Sequence, residues 1–134
     1  MSSKDIRNLL PGVAQHAAQT LAIAAAQGIK VTVTSVTRTR AEQSALRKAY
    51  EAALQDGTFG TPGGLQYPAN KPGDSAHEYG FAFDSVTDDP AQMEDWVKLR
   101  KALGWRVPNY DRVHAELPRW REWLDDLRAR HLLP

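Results

Sequence analysis

The chain has 134 residues, 42% hydrophobic and 25% charged, enough for one domain with a real core. A formal net charge of +1 argues against a dedicated nucleic-acid binder, which would carry a strongly basic face. With no cysteine, disulfides, thiolate metal sites and cysteine nucleophiles are excluded, so any transition metal must be held by His, Asp or Glu.

The opening residues, Met1 to Asp5, do not form a signal peptide, and the Ala-rich stretch Leu21 to Ala26 is too short to span a membrane. The expectation is a soluble chain made in the cytoplasm, without membrane insertion, that something else delivers if it acts elsewhere. A first helix is expected from Val13 to Gln27, begun near Pro11-Gly12 and stopped by Gly28. His16 lies on it as a surface or packing residue. Ile29 to Val36 alternates as a strand does. Thr39-Arg40-Ala41-Glu42 has the form of a capping box, predicting a helix to Gln55 with Ala45, Leu46, Ala49, Ala53 and Leu54 on its apolar side.

Residues Asp56 to Asp74 are punctuated by glycine and proline and read as a long irregular loop, a length more often functional than incidental. Tyr79 to Val86 is expected as a strand. Asp89-Pro90 starts a helix that ends at Leu103 before Gly104, with Met93, Trp96, Val97, Leu99 and Leu103 buried. Arg112 to Leu117 alternates again, and a last helix runs from Arg119 to Arg130, leaving His131 in an inert tail. The C-terminal basic residues, Arg100 and Arg112 among them, read as a solvated helical face. The order α-β-α-loop-β-α-β-α, without repeated phosphate-binding βαβ units, predicts an α+β fold: a small antiparallel sheet covered by helices, one domain over residues 1–134.

The chemistry concentrates in Ser75-Ala76-His77-Glu78-Tyr79-Gly80-Phe81-Ala82-Phe83-Asp84 and in Asp111-Arg112-Val113-His114. Two histidines and a carboxylate suffice for a catalytic zinc, with one position left for water. A straight strand would separate His77 from Asp84 too widely to share an ion, so the segment must bend, and Gly80 is the natural place. Alternation puts Asp84 opposite Phe83, and His114 with Glu116 opposite Val113, Ala115 and Leu117. On these residues alone, chance proximity of histidines and carboxylates remains an alternative.

Ser75-x-His77-x-x-Gly80-x-Ala82-x-Asp84 resembles the SxHxxGxAxD signature of the VanY-type, or LAS, zinc peptidases. That family includes D-alanyl-D-alanine carboxypeptidases and L-alanyl-D-glutamate endopeptidases. Asp111-x-x-His114 resembles its second motif, and Ser35-Val36-Thr37-Arg38-Thr39 with Glu42-Gln43 its upstream segment. The resemblance implies that His77, Asp84 and His114 bind zinc and that Asp111 is the general base. It also implies that Arg38 binds or polarises the substrate near the scissile carbonyl, and that Ser75 and Gln43 touch it. Plainer roles stand beside these: an ion pair for Arg38, a solvated helix position for Gln43, a loop cap for Ser75. Glu116 is a rival base.

This sequence departs from the family at Val36, Thr37 and Ala115 and in a shortened stretch before Asp111, changes that concern pocket walls. The implied substrate is the peptidoglycan stem peptide, cut most naturally at L-Ala–D-Glu, with D-Ala–D-Ala carboxypeptidase activity as the alternative. A phage lysin acting as a monomer on the wall, after release or within a virion, fits such a chain. A non-catalytic wall-binding virion protein is the competing class. A structural zinc would fill all four positions with protein ligands. The acidic residues Asp84, Asp88, Asp89, Glu94 and Asp95 suggest calcium, but helix capping explains them more simply.

Overall fold

The computed structural model describes residues 3–66 and 68–130. The expected element order is found: α1 (Pro11–Ala26), β1 (Val31–Ser35), α2 (Arg40–Asp56), β2 (Ala82–Thr87), α3 (Met93–Ala102), β3 (His114–Glu116) and α4 (Trp120–Ala129). The strands form one antiparallel sheet in the order β1-β2-β3. This is the α+β arrangement the sequence predicts. His131 lies outside the described residues.

β2 is the spine of the molecule. Phe83 and Ser85 turn toward the helices, where Trp105 meets the Phe83 ring edge-on at 5.0 Å and Trp96 donates to Ser85 Oγ at 2.9 Å. Trp105 also donates to Thr20 Oγ1 of α1 at 3.0 Å and stacks on His16, whose Nε2 lies 2.8 Å from the Leu103 carbonyl. Burying ring systems of this size supplies about 1.5–3 kcal/mol each, and their N–H groups need the partners they have. Asp84, between Phe83 and Ser85, points to the opposite face.

Several boundaries differ from expectation for local reasons. Tyr79 ends a 3-10 turn, Ala76–Tyr79, rather than starting a strand, and β2 begins only at Ala82. Ser75 and Glu78 cap the turn reciprocally, and Gly80 closes it at φ +80°. Asp89 caps a separate 3-10 turn, Pro90–Gln92, before α3 begins. Residues ahead of His114 are a turn, closed by His114 N donating to the Asp111 carbonyl, so β3 is shorter than Arg112 to Leu117.

Two helix faces are also corrected. On α2 the capping box at Thr39 is present, but Leu46 and Leu54 are exposed and only Gln43 and Ala53 are buried. This helix borders the cleft described below instead of covering the sheet. On α3, Trp96 and Val97 are buried as expected, Met93, Leu99 and Leu103 only partly, and Arg100 completely. Arg100 is therefore no part of a solvated face.

A methyl group at Gly80 would lie 3.0 Å from Leu10 N, on a backbone that L-residues disfavour. Gly80→Ala should lower unfolding stability by about 1–2 kcal/mol, measured by denaturant titration of the metal-free protein.

Candidate metal centre

Three segments deliver three ligand atoms to one point. The 3-10 turn carries His77, the central strand carries Asp84, and β3 pairs His114 directly with Asp84. His77 Nε2 lies 3.0 Å from Asp84 Oδ1 and 3.1 Å from His114 Nδ1, and His114 Nδ1 lies 3.1 Å from the same carboxylate oxygen. Ligand atoms on a tetrahedral zinc are separated by roughly 3.3–3.6 Å, so a small outward relaxation accommodates the ion. Among the described residues this is the one cluster of its kind.

The outer partners fix the tautomers. His77 Nδ1 sits 2.5 Å from the Val36 carbonyl, which can only accept, so Nδ1 carries the proton and Nε2 the lone pair. His114 Nε2 faces Glu116 Oε1 at 2.7 Å, which leaves the Nδ1 lone pair facing inward. Two lone pairs and a carboxylate oxygen in mutual contact repel unless a cation joins them. Without one, a proton is drawn in. Burial opposes a charged His114, but hydrogen bonds to Asp84 and Glu116 outweigh it and hold that ring up to about 9. Burial pushes His77 down, against the pull of Asp84. For Asp84, burial is overcome by the two histidines, and its carboxyl falls well below the usual carboxylate range.

Arg38 Nη2 donates to Asp84 Oδ2 at 2.9 Å, fixing the oxygen that the histidines do not share. Its Nη1 reaches Gln43 Oε1 at 3.4 Å, and its Nε is buried without a partner among the described residues. Gln43 is 1% exposed, not solvated, and donates to the Asn70 carbonyl at 2.8 Å. Together with Arg47, which donates to the Ala69 carbonyl, it pins the long loop against α2. Ser75 is buried and caps the His77 turn while lining the cleft.

Asp111 completes the group. It lines the same cleft, and its Oδ1 is buried with no partner among the described residues. Burial and the charge of Asp84 push its carboxyl up to about 6. Glu116 is differently placed, since it takes hydrogen bonds from His114 and from Trp120 Nε1 at 2.9 Å and pairs with Arg106 at 3.5 Å. Those contacts make it a support for His114, with little capacity left for a substrate proton.

The cleft has a volume of about 640 Å³ and runs from the loop residues Leu65 and Pro68, past the three ligands, to Arg119 and Arg121 at α4. The acidic residues beyond Asp84 do not converge with it. Asp88 accepts from Thr32, Asp89 caps a turn, and Glu94 pairs with Arg112. Sequence reasoning missed the Val36 carbonyl, the supporting role of Glu116 and the burial of Arg100. Only the second left a signal, the shared face of His114 and Glu116.

A cleft with two histidines, an aspartate and a nearby buried acid on an α+β scaffold defines a metallopeptidase-like centre. A family model described as D-alanyl-D-alanine carboxypeptidase matches residues 7–122, and the chain belongs to this VanY family. Among solved structures, VanYB in complex with D-alanine-D-alanine has a TM-score of 0.64 at 16% identity, covering 90% of this chain and 82% of that one. The LdcB LD-carboxypeptidase gives 0.59 at 18% identity, covering 88% and 71%. The Serratia marcescens L-Ala D-Glu endopeptidase ChiX gives 0.50 at 16%, covering 92% of each. No match is found among curated protein sequences. Among the described residues, no helix is long and apolar enough to cross a membrane.

If Glu116 orients His114, Glu116→Gln should weaken zinc binding by about 10–100-fold without unfolding the chain. Competition against a chromogenic chelator measures this directly.

Proposed function

We propose that this protein is a zinc-dependent peptidase that hydrolyses an amide bond in the stem peptide of bacterial peptidoglycan. The observation that carries the reading is the convergence of His77, Asp84 and His114 within one cleft beside a buried oxygen of Asp111 that has no hydrogen-bond partner among the described residues. A zinc ion held by the three ligands supplies Lewis acidity to a water and to the scissile carbonyl.

The chain's own groups do the rest. Asp111 takes a proton from the attacking water as its oxygen bonds to the carbonyl carbon, and returns that proton to the amine as the C–N bond breaks. A carboxyl raised to about 6 is better matched to both transfers than an ordinary one. Arg38 Nη1 carries two N–H groups and its contact to Gln43 is at the long end of hydrogen bonding, so it has donor capacity for the developing oxyanion while Nη2 keeps its hold on Asp84. The Ser75 hydroxyl accepts from His77 N and keeps its own proton to offer a substrate carbonyl. Gln43 shapes the cleft by holding the loop.

The finer reading is cleavage between L-Ala and D-Glu. Each arginine that lines the cleft already faces a carboxylate: Arg38 with Asp84, Arg106 with Glu116, Arg119 with Glu122 and Arg121 with Asp74. A free carboxylate stands next to the cut bond in either substrate, so this pairing bears on both readings. What favours the endopeptidase is that the cleft continues past His77, Asp84 and His114 toward the loop on one side and α4 on the other, with room for a chain that runs on beyond the cut. The second reading, removal of a terminal D-Ala, is favoured by the family description and by the likeness to VanYB with its bound D-alanine-D-alanine. With peptidoglycan as substrate, the place of action is the cell wall.

Mass spectrometry of purified peptidoglycan, digested by the zinc-loaded protein with a chelated control, separates these readings. A new D-Glu amino terminus supports the endopeptidase, and released D-Ala the carboxypeptidase. No chelator-sensitive product from several wall types would overturn hydrolysis and leave a wall-binding protein. In the same assay Asp111→Ala should keep its zinc but lose at least about 10² in turnover, while His114→Ala should lose both.

A further inference from the structure

We infer that Arg100 is a positioning residue for the metal centre: its guanidinium fixes the turn that carries both Asp111 and His114. The inference rests on the zinc reading above. Arg100 projects from α3, is 0% exposed, and lies with its guanidinium 4.9 Å from the centroid of the Trp96 ring. Nη2 donates to the Arg112 carbonyl at 2.6 Å and Nη1 to the Val113 carbonyl at 3.1 Å, while Nε donates back to the Trp96 carbonyl at 3.3 Å. The Val113 carbonyl also accepts from Ser85 N at 3.0 Å, the residue after Asp84.

One planar fork thus grips two of the three peptide groups between the proposed base and the third ligand, and one of those two is shared with the strand that carries the second ligand. The acids that act on Arg100, Asp84 and Asp111, do so through space rather than by contact. Burying a guanidinium against carbonyls alone is costly, and an aliphatic side chain would fill the same volume more cheaply. What the aliphatic chain lacks is two donors at a fixed angle. The turn they hold is short, with His114 N bonded to the Asp111 carbonyl, so a rotation of either peptide would move Asp111 relative to His114. Lysine keeps the charge but replaces the fork with a point donor, which makes Arg100→Lys the discriminating variant.

The test uses the whole chain with Arg100→Lys and Arg100→Met. Circular dichroism checks the fold, chelator competition gives zinc affinity, and kcat and KM are taken on a stem-peptide fragment. The expected result is a folded Arg100→Lys that binds zinc about 10–100-fold more weakly. Its kcat, with zinc saturating, should fall at least about tenfold while KM changes less than about twofold. Wild-type zinc affinity and kcat in folded Arg100→Lys would overturn the inference, showing that charge or bulk alone is needed. Failure of both variants to fold would also overturn it, leaving Arg100 a purely structural residue. If the wild-type chain does not cut stem peptides, the proposed activity fails, but the zinc competition still decides the role of Arg100.

Discussion

Lone pairs aimed at a common point cannot stay there without positive charge between them. Around His77, Asp84 and His114 the fold enforces that situation from outside, by satisfying the far nitrogen of each imidazole with an acceptor. Neither ring can easily rotate away or change tautomer, because its outer hydrogen bond would be lost in a largely dry setting. The strand pairing of Asp84 with His114, the tight cap around His77 and the hold of Arg38 on the second carboxylate oxygen all serve this convergence.

The surrounding structure divides the work by rigidity. The sheet and the tryptophan-rich packing behind it hold Asp84 and His114 on regular backbone. The loop side of the cleft is attached more lightly, through side chains of α2 reaching backbone carbonyls at Ala69 and Asn70. A substrate therefore meets a fixed centre and one wall made of irregular backbone. That arrangement suits a fold in which the chemistry is constant and the peptide recognised varies with the loop.

The convergence of His77 with Asp84 was legible in the sequence because their spacing is local: a turn, a glycine and an alternating strand bring them together within eight residues. His114 followed from alternation and from the family motif. The faces of α2 and α3 were not legible, for opposite reasons. Leu46 looks like a core residue but borders a cleft, whereas Arg100 looks like a surface residue and is wholly buried. Hydropathy carries no information about a cation whose partners are carbonyl oxygens. The 3-10 turn at Ala76–Tyr79 did leave a signal, Ser75 and Glu78 at capping-box spacing, masked by the apolar alternation that follows.

The acceptor behind His77 is a main-chain oxygen, and every amino acid has one. Val36 can thus be exchanged for any residue that fits its buried place in the core with the orientation of His77 preserved, provided the backbone path stays the same. A comparison of aligned side chains would record position 36 as a packing position in the core and miss its hold on His77. The part of it that orients His77 is inherited through the backbone path just past β1 rather than through the codon.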